Sequence, residues 1–160
     1  MNDISIQKIV INIGLGRFID QPNFDDKILP TIMSEVAKIS GQKPKTTTAK
    51  KSIAGFKTRT GQIIGIMATI RGKRAQDFIN RLIVSVLPRV KDFRGIDLKN
   101  VDSAGNLNLG IKEHLAFPEI SAETSTYNFG MQITIVPHGV NSRDEALDFY
   151  SKIGVPLMTK

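Results

Sequence analysis

The residues best suited to chemistry lie in residues 49–62, where cations surround isolated apolar side chains. This segment holds four cations, one Ile and one Phe: Lys50, Lys51, Ile53, Phe56, Lys57 and Arg59. Cations bind phosphates, and an apolar side chain can pack on a sugar or a base. Because connections of this length are usually functional or disordered, we interpret the segment as a protruding basic loop that contacts RNA rather than as an ordinary loop.

A second basic cluster has a similar composition. Residues 89–94 place Phe93 among three cations, Arg89, Lys91 and Arg94. Two interpretations stay open. The cluster is either a further RNA contact or the solvated C-terminal end of a helix, where the helix dipole favours cations.

Patterns typical of catalysis or metal binding are weak in this sequence. Residues 14–16, Gly-Leu-Gly, follow a predicted strand, but the third glycine of a dinucleotide fingerprint would fall at Ile19. Glu113 and His114 are neighbours on a predicted strand and would point to opposite faces, so we expect both to meet solvent at its end. The chain has no Cys and only two His, which excludes thiolate and His-built zinc sites. The sequence predicts no enzyme, no metal and no cofactor.

Length and composition predict one globular domain over residues 1–160. Hydrophobic residues make up 41% and charged residues 23%, as in soluble proteins. The longest uncharged apolar-rich run, residues 60–70, is shorter than a bilayer span requires. Residues 1–8 lack the pattern of a signal peptide. We therefore expect a cytoplasmic protein with no membrane partner.

The positive charge is concentrated in the middle of the chain. The net charge is +7, yet residues 42–94 hold 13 Lys and Arg against 2 Asp and Glu, a net +11. Such an excess repels itself unless a polyanion neutralises it. It predicts a nucleic-acid partner. A membrane surface is the weaker alternative, because no long basic amphipathic helix accompanies the charge.

Hydrophobic periodicity predicts strands at both ends of the chain with helices between them. The predicted strands cover residues 6–13, 63–71, 107–112 and 131–136, with a short Thr-rich strand before residue 49. The predicted helices cover residues 24–40, 73–87 and 143–153. This order predicts a single-domain α+β fold, a mostly antiparallel sheet with helices packed on one face and a long basic β-hairpin-like loop.

Two helix boundaries carry specific expectations. Pro30 either kinks the first helix or marks its start. Ser142 and Glu145 form a capping box, in which each side chain accepts one free backbone N–H. The helix that follows should bury three apolar side chains: Ala146, Phe149 and Ile153.

Alternation along the predicted strands separates an apolar face from a polar face. The polar face carries cations, amides and hydroxyls: Lys8, Asn12, Thr69, Arg71, Asn108, Lys112, Gln132 and Thr134. An ordinary solvated face is the alternative. We favour a binding face, because groups that both donate and accept suit the 2′-hydroxyls and phosphates of structured RNA.

Several ordered segments, which together cover almost the whole chain, resemble one known family. They are Lys8-Ile9-Val10-Ile11-Asn12-Ile13-Gly14-Leu15-Gly16, Gly41-Gln42-Lys43-Pro44, residues 49–57, Ile70-Arg71-Gly72, residues 87–95, residues 109–113 and Phe117-Pro118-Glu119-Ile120. In this order they resemble large-subunit ribosomal protein number five, bacterial type. In that family a helix and a linker precede the first strand, whereas here the strand begins at Ile6.

The resemblance implies a structural, non-enzymatic protein of the central protuberance of the large ribosomal subunit. Its implied partners are 5S rRNA, 23S rRNA, the peptidyl-site tRNA, neighbouring ribosomal proteins and the head of the small subunit. An Asn, a Gln and a Thr that hydrogen-bond 5S rRNA in the family match Asn12, Gln42 and Thr69.

The resulting site predictions fall into three sets. The 5S rRNA set is Lys8, Asn12, Gln42, Lys43, Lys45, Thr69 and Arg71. The tRNA-contacting loop is Lys50, Lys51, Ser52, Ile53, Ala54, Gly55, Phe56, Lys57 and Arg59. The additional rRNA contact is Arg89, Lys91 and Arg94. A free-standing RNA-binding regulator or RNA chaperone is the alternative function, and an organellar ribosome is the alternative location.

Overall fold

The computed structural model describes residues 3–56 and 58–158, without the side chain of Phe56. Lys57 and the Phe56 side chain, both predicted loop contacts, lie outside the described residues. The strands are β1 (Ser5–Gly14), β2 (Lys45–Thr48), β3 (Ile63–Arg71), β4 (Leu107–Ile111) and β5 (Met131–His138). The α-helices of this part of the chain are α1 (Leu29–Ser40), α2 (Lys73–Arg81) and α3 (Arg143–Lys152).

The described strands form one five-stranded sheet in the order β2-β3-β1-β5-β4. Every neighbouring pair is antiparallel. The alternating apolar side chains of the four longer strands are buried, among them Ile9, Ile11, Ile66, Leu109 and Ile133. Because the described helices cover this side alone, the opposite side stays open. The predicted α+β class, with an antiparallel sheet and helices on one face, is confirmed.

Pro30 marks the start of the first α-helix. It is the second residue of α1, where a missing N–H costs nothing. A π-type turn, Phe24–Ile28, leads directly into the helix, so helical structure covers the predicted residues 24–40. Gly41 ends α1 with a left-handed φ of 77°, which glycine adopts without a steric penalty. This turn sets the direction of the chain toward β2.

The second predicted helix continues through three helical types. After α2, a π-type segment, Leu82–Val86, and a 3-10 turn, Leu87–Arg89, extend it. The sequence spaces Ala75, Phe78, Ile79, Leu82, Ile83 and Val86 on one helical face, and all of these are buried except Ile83, which is partly buried. Pro88 lies inside the final turn, so the helical segment ends at Arg89, two residues beyond the predicted end at residue 87.

The third helix confirms its cap and corrects its buried face. The Ser142 hydroxyl accepts the backbone N–H of Glu145 at 3.2 Å. The Glu145 carboxylate instead accepts the N–H of Asn141, at 2.8 Å. Tyr150 is fully buried beside Ala146, whereas Phe149 and Ile153 are only partly buried. The expectation that Phe149 and Ile153 form the buried face was wrong, because the helix turns the Tyr150 ring inward.

None of the helices in residues 3–56 and 58–158 has the length and apolarity that crossing a membrane requires.

Candidate nucleic-acid interface

The open side of the sheet is a polar face built in rows across the strands. Asn12 lies between Met67 of β3 and Gln132 of β5, and Gly110 of β4 continues this row. Val10 lies between Thr69 and Thr134 in the next row, and Lys8 pairs with Arg71 beyond it. The register therefore brings together the predicted polar residues of separate strands: Lys8, Asn12, Thr69, Arg71, Asn108, Gln132 and Thr134.

The exposed side chains of the polar face can donate and accept. Asn12, Gln132 and Arg71 are exposed, whereas Lys8 and Thr69 are partly buried. Apolar residues of the same face, Val10, Met67 and Val136, are also partly buried. The Thr134 hydroxyl donates to the Asn108 side-chain oxygen at 3.0 Å. This bond orients the Asn108 amide so that its NH₂ group is available to another acceptor.

Gln42 adjoins the polar face through Thr69. Its side-chain amide donates to the Thr69 carbonyl at 2.6 Å, across the end of the short strand β2. The backbone of Gln42 is fixed by Ser40, whose hydroxyl donates to the Gln42 carbonyl at 2.9 Å. Lys43 and Lys45 lie next in the chain and are exposed. The structure thus places the predicted residues Gln42 and Thr69 in direct contact, at one edge of the face.

The described residues of segment 49–62, namely 49–56 and 58–62, extend the β2–β3 pairing irregularly. Ala49 exchanges backbone hydrogen bonds with Gln62 and Gly61 at 2.8 and 2.9 Å, and Ile53 pairs with Thr58 farther along. The Ser52 and Thr60 hydroxyls lie 3.0 Å apart across the hairpin. The described cations of this segment are exposed: Lys50, Lys51 and Arg59. Ile53 is 48% exposed.

The second basic cluster lies next to the end of β4. Arg89, Lys91 and Arg94 are exposed, and Phe93 is partly buried. The Lys91 ammonium lies 4.0 Å from the carboxylate of Glu113, which follows β4. Arg89 ends the helical segment, whereas Lys91 and Arg94 lie beyond it. The helix-end interpretation therefore accounts for Arg89 only.

Comparison with known proteins decides the family. A model of ribosomal protein L5 matches residues 1–59, and a model of the C-terminus of the same ribosomal family matches residues 63–157. The large ribosomal subunit protein uL5 of Mycoplasma mycoides is 46% identical over 152 residues, which are 95% of this chain and 82% of that protein. The uL5 of Oceanobacillus iheyensis is 44% identical over 152 residues, which are again 95% of this chain and 82% of that protein. The chain belongs to the ribosomal protein L5 family.

This membership confirms the resemblance found in the sequence. An L5-family protein is a structural ribosomal protein that works in translation and is not an enzyme. A similar protein of Gracilaria tenuistipitata, named uL5c, is 44% identical over 151 residues, 94% of this chain and 82% of that protein. Bacterial relatives agree with a cytoplasmic ribosome, and uL5c keeps the organellar alternative open.

His114 of this L5-family chain lies in the core and not in solvent, so that expectation was wrong. Its side chain is 0% exposed, and its ring stacks on Phe129 with centroids 3.9 Å apart. Its Nε2 atom lies 2.9 Å from the Ser125 hydroxyl and 3.1 Å from the Glu35 carboxylate. Burial lowers the pKa of His114, although the nearby Glu35 carboxylate opposes this shift. The contact joins the turn after β4 to α1 and fixes the end of β4.

Proposed function

We propose that the chain, a structural constituent of the large ribosomal subunit, binds 5S rRNA through the polar face. The observation that carries this proposal is the grouping of Asn12, Thr69 and Gln42 at one side of the sheet, with Gln42 bonded to the Thr69 carbonyl at 2.6 Å. Structured RNA presents 2′-hydroxyls and phosphates in a wide, shallow groove. A flat surface of amides and hydroxyls can meet those groups without deep insertion.

Cations at the margins of the polar face support RNA as the partner. Lys8 and Arg71 are directly opposite each other on neighbouring strands, where like charges repel. Lys43 and Lys45 are exposed at the β2 edge. A phosphate between the paired cations neutralises that repulsion. Phosphate contacts fix the register of the protein on RNA, while the amides contact sugars and bases.

Two further contacts are proposed, one through the second basic cluster and one through residues 50–59. We assign the exposed cluster of Arg89, Lys91 and Arg94 to an additional rRNA contact. We assign residues 50–59 to the peptidyl-site tRNA, with Lys50, Lys51 and Arg59 on phosphates and Ile53 on a sugar or a base. The 48% exposure of Ile53 supports this assignment, because burial against a partner recovers the cost of leaving it in water.

The test of the polar face compares two of its variants with a distant control. Asn12→Ala removes an exposed amide, and Thr69→Val removes a hydroxyl while keeping the shape of the side chain. Each should raise the dissociation constant for 5S rRNA at least about fivefold, since one good polar contact is worth about 1–3 kcal/mol. Lys38→Ala changes an exposed residue of α1, in the helical layer, and should leave the constant unchanged. Equal constants for all variants would reject the polar face.

The test of the loop separates tRNA from 5S rRNA. Replacing residues 53–58 by Asn-Gly shortens the hairpin and keeps its base, because Asn-Gly favours a tight turn. Affinity for 5S rRNA should persist, while crosslinking to peptidyl-site tRNA in reassembled ribosomes should be lost. Loss of 5S affinity instead would mean that the loop belongs to the 5S interface.

The alternative, a free-standing RNA regulator or chaperone, uses the same surface chemistry. Membership in a ribosomal family favours the ribosomal constituent. Sedimentation separates the two, because a constituent co-sediments with large subunits after a high-salt wash and a free regulator does not.

A further inference from the structure

A groove of about 420 Å³ lies between the second basic cluster and the end of β4. Its floor is apolar and consists of the buried Ile111 with the partly buried Val90 and Leu115. Binding sites for small molecules are typically a few hundred Å³, with an apolar lining and a few polar groups. This volume suits one nucleotide rather than a helix of a partner protein.

Charged groups of both signs surround the apolar floor. Arg89, Lys91 and Lys112 are exposed cations of the rim. Asp92 and Glu113 also line the groove, and Glu113 lies 4.0 Å from the Lys91 ammonium. Cations attract a phosphate, whereas carboxylates accept hydrogen bonds from the exocyclic amine of a base. The mixed rim therefore complements a whole nucleotide better than a bare phosphate.

The two walls of the groove are the turn at Asp92 and the β4 backbone at Gly110. Asp92 holds a left-handed φ of 58°, which Asp tolerates better than most residues, and this turn bends the cluster around the groove. On the β4 side, a Cβ added at Gly110 would meet no atom within 4 Å.

Gly110 connects the groove to the polar face. It pairs with Gln132, which pairs with Asn12, so all three lie in one row of the sheet. RNA that lies on the polar face consequently passes the mouth of the groove.

We propose that the groove takes a single unstacked nucleotide of the 5S rRNA that lies on the polar face. The base lies on Val90 and Leu115, its exocyclic amine faces Asp92 and Glu113, and its phosphate faces Lys112 and Arg89. This inference rests on the proposed function and adds to it a base-specific contact. Unstacking a base costs a few kcal/mol, and burial on the apolar floor offsets that cost.

The test adds a side chain at Gly110, which lines the groove. Gly110→Val adds a side chain into open space, and Gly16→Val is the matched control, because a Cβ there also meets no atom within 4 Å. Two quantities are measured for each variant. The first is the dissociation constant for 5S rRNA transcripts, and the second is the footprint of the bound protein on the RNA with dimethyl sulfate and kethoxal. The native chain should protect the base-pairing edge of one unpaired adenine, cytosine or guanine. Gly110→Val should abolish that protection, raise the constant about tenfold and keep the rest of the footprint, while Gly16→Val changes neither.

A second variant changes the rim of the groove, and it tests the proposal even if Gly110→Val does not fold. Lys112→Gln keeps the shape of the groove and removes one cation. It should weaken binding about threefold and lower the salt dependence by about one phosphate contact.

The outcomes separate the groove from the polar face. If Gly110→Val and Lys112→Gln bind and footprint like the native chain while Asn12→Ala binds weakly, the groove proposal is wrong and the polar face stands. If the native chain shows no salt-dependent affinity for 5S rRNA, both proposals are wrong. If Gly110→Val binds RNA normally but is left out of reassembled subunits, the occupant is a protein and the nucleotide proposal is overturned.

Discussion

At the residue scale, His114 gives the fold a pH dependence. Burial lowers its pKa below the ordinary value, which is about 6.5 in an unfolded chain. Below that pH the unfolded state binds a proton that the folded state resists, so the free energy of unfolding falls as the pH falls. We expect a slope of at most about 1.4 kcal/mol per pH unit, from pH 6.5 down to the lowered pKa. Urea unfolding between pH 7.5 and pH 5 measures it.

The matched control for His114 is the other histidine of the chain, His138, which is exposed. His114→Gln removes the titrating group and should flatten the dependence in this window. His138→Gln should leave it as it is. A native slope that persists in His114→Gln would assign the pH dependence to other groups.

Tyr150 joins α3 to the sheet through a buried hydroxyl. That hydroxyl donates to the carbonyls of Gly105 at 2.7 Å and Ile135 at 3.2 Å, and burial raises the pKa of the phenol. Tyr150→Phe leaves two carbonyls without this donor. We expect a loss of about 1–2 kcal/mol in the free energy of unfolding. Tyr127→Phe, at a partly buried position, should change it by less than about 0.5 kcal/mol. Equal effects would mean that the Tyr150 hydrogen bonds contribute nothing.

At the element scale, most of the fold was predictable because each strand and helix carries its own periodicity. The strand at residues 63–71 and the helical span 24–40 were predicted to the residue. The side of the sheet that faces the helices followed from alternation alone. Gly41 and the Ser142 cap were equally visible, because helix ends depend on local backbone chemistry.

Contacts between distant segments could not be predicted in the same way. The bond from Gln42 to Thr69 depends on the path of β2 beside β3. The burial of His114 depends on Glu35 of α1, and periodicity along β4 contains no sign of it. The groove beside Gly110 was missed for the same reason, since its two walls are separate segments. Only two features of the sequence pointed to this place. They are Phe93 among cations and the strand glycine Gly110.

The close pairing of β1, β2 and β3 explains Gly65. A Cβ at Gly65 would lie 2.8 Å from the Ile13 carbonyl and 2.8 Å from the Thr47 hydroxyl. The hydroxyl can rotate, but the carbonyl belongs to the β1 backbone and cannot move alone. We expect Gly65→Ala to lower the free energy of unfolding by about 1–3 kcal/mol, the usual cost of overpacking. The matched control is Gly110→Ala in the same sheet, with a change below about 0.5 kcal/mol. Matching urea midpoints for the two variants would contradict the steric explanation.

At the scale of the whole molecule, most of the excess positive charge lies on the elements that form or flank the polar face. The middle segment, residues 42–94, carries the excess positive charge and supplies β2, the loop, β3 and the second basic cluster. Apart from α2, which the same segment supplies to the helical layer with Lys73, Arg74 and Arg81, these elements lie along the polar face and its margins. The helical layer receives exposed residues of both signs, such as Asp148 and Lys152 of α3. The molecule therefore has one side suited to a polyanion.

This asymmetry predicts which cations set the salt dependence of RNA binding. A cation in contact with a phosphate releases counterions, so the logarithm of the association constant falls linearly with the logarithm of salt, by about 0.9 per contact. Arg71→Gln, on the polar face, should reduce that slope by about one contact. Lys152→Gln removes the same charge from α3 and should leave the slope unchanged, although it lowers the net charge equally. Filter binding to 5S rRNA between 50 and 300 mM KCl, roughly the range over which such slopes are resolved, measures both. If the two variants reduce the slope equally, the overall field of the protein attracts RNA and the polar face has no special part in binding it.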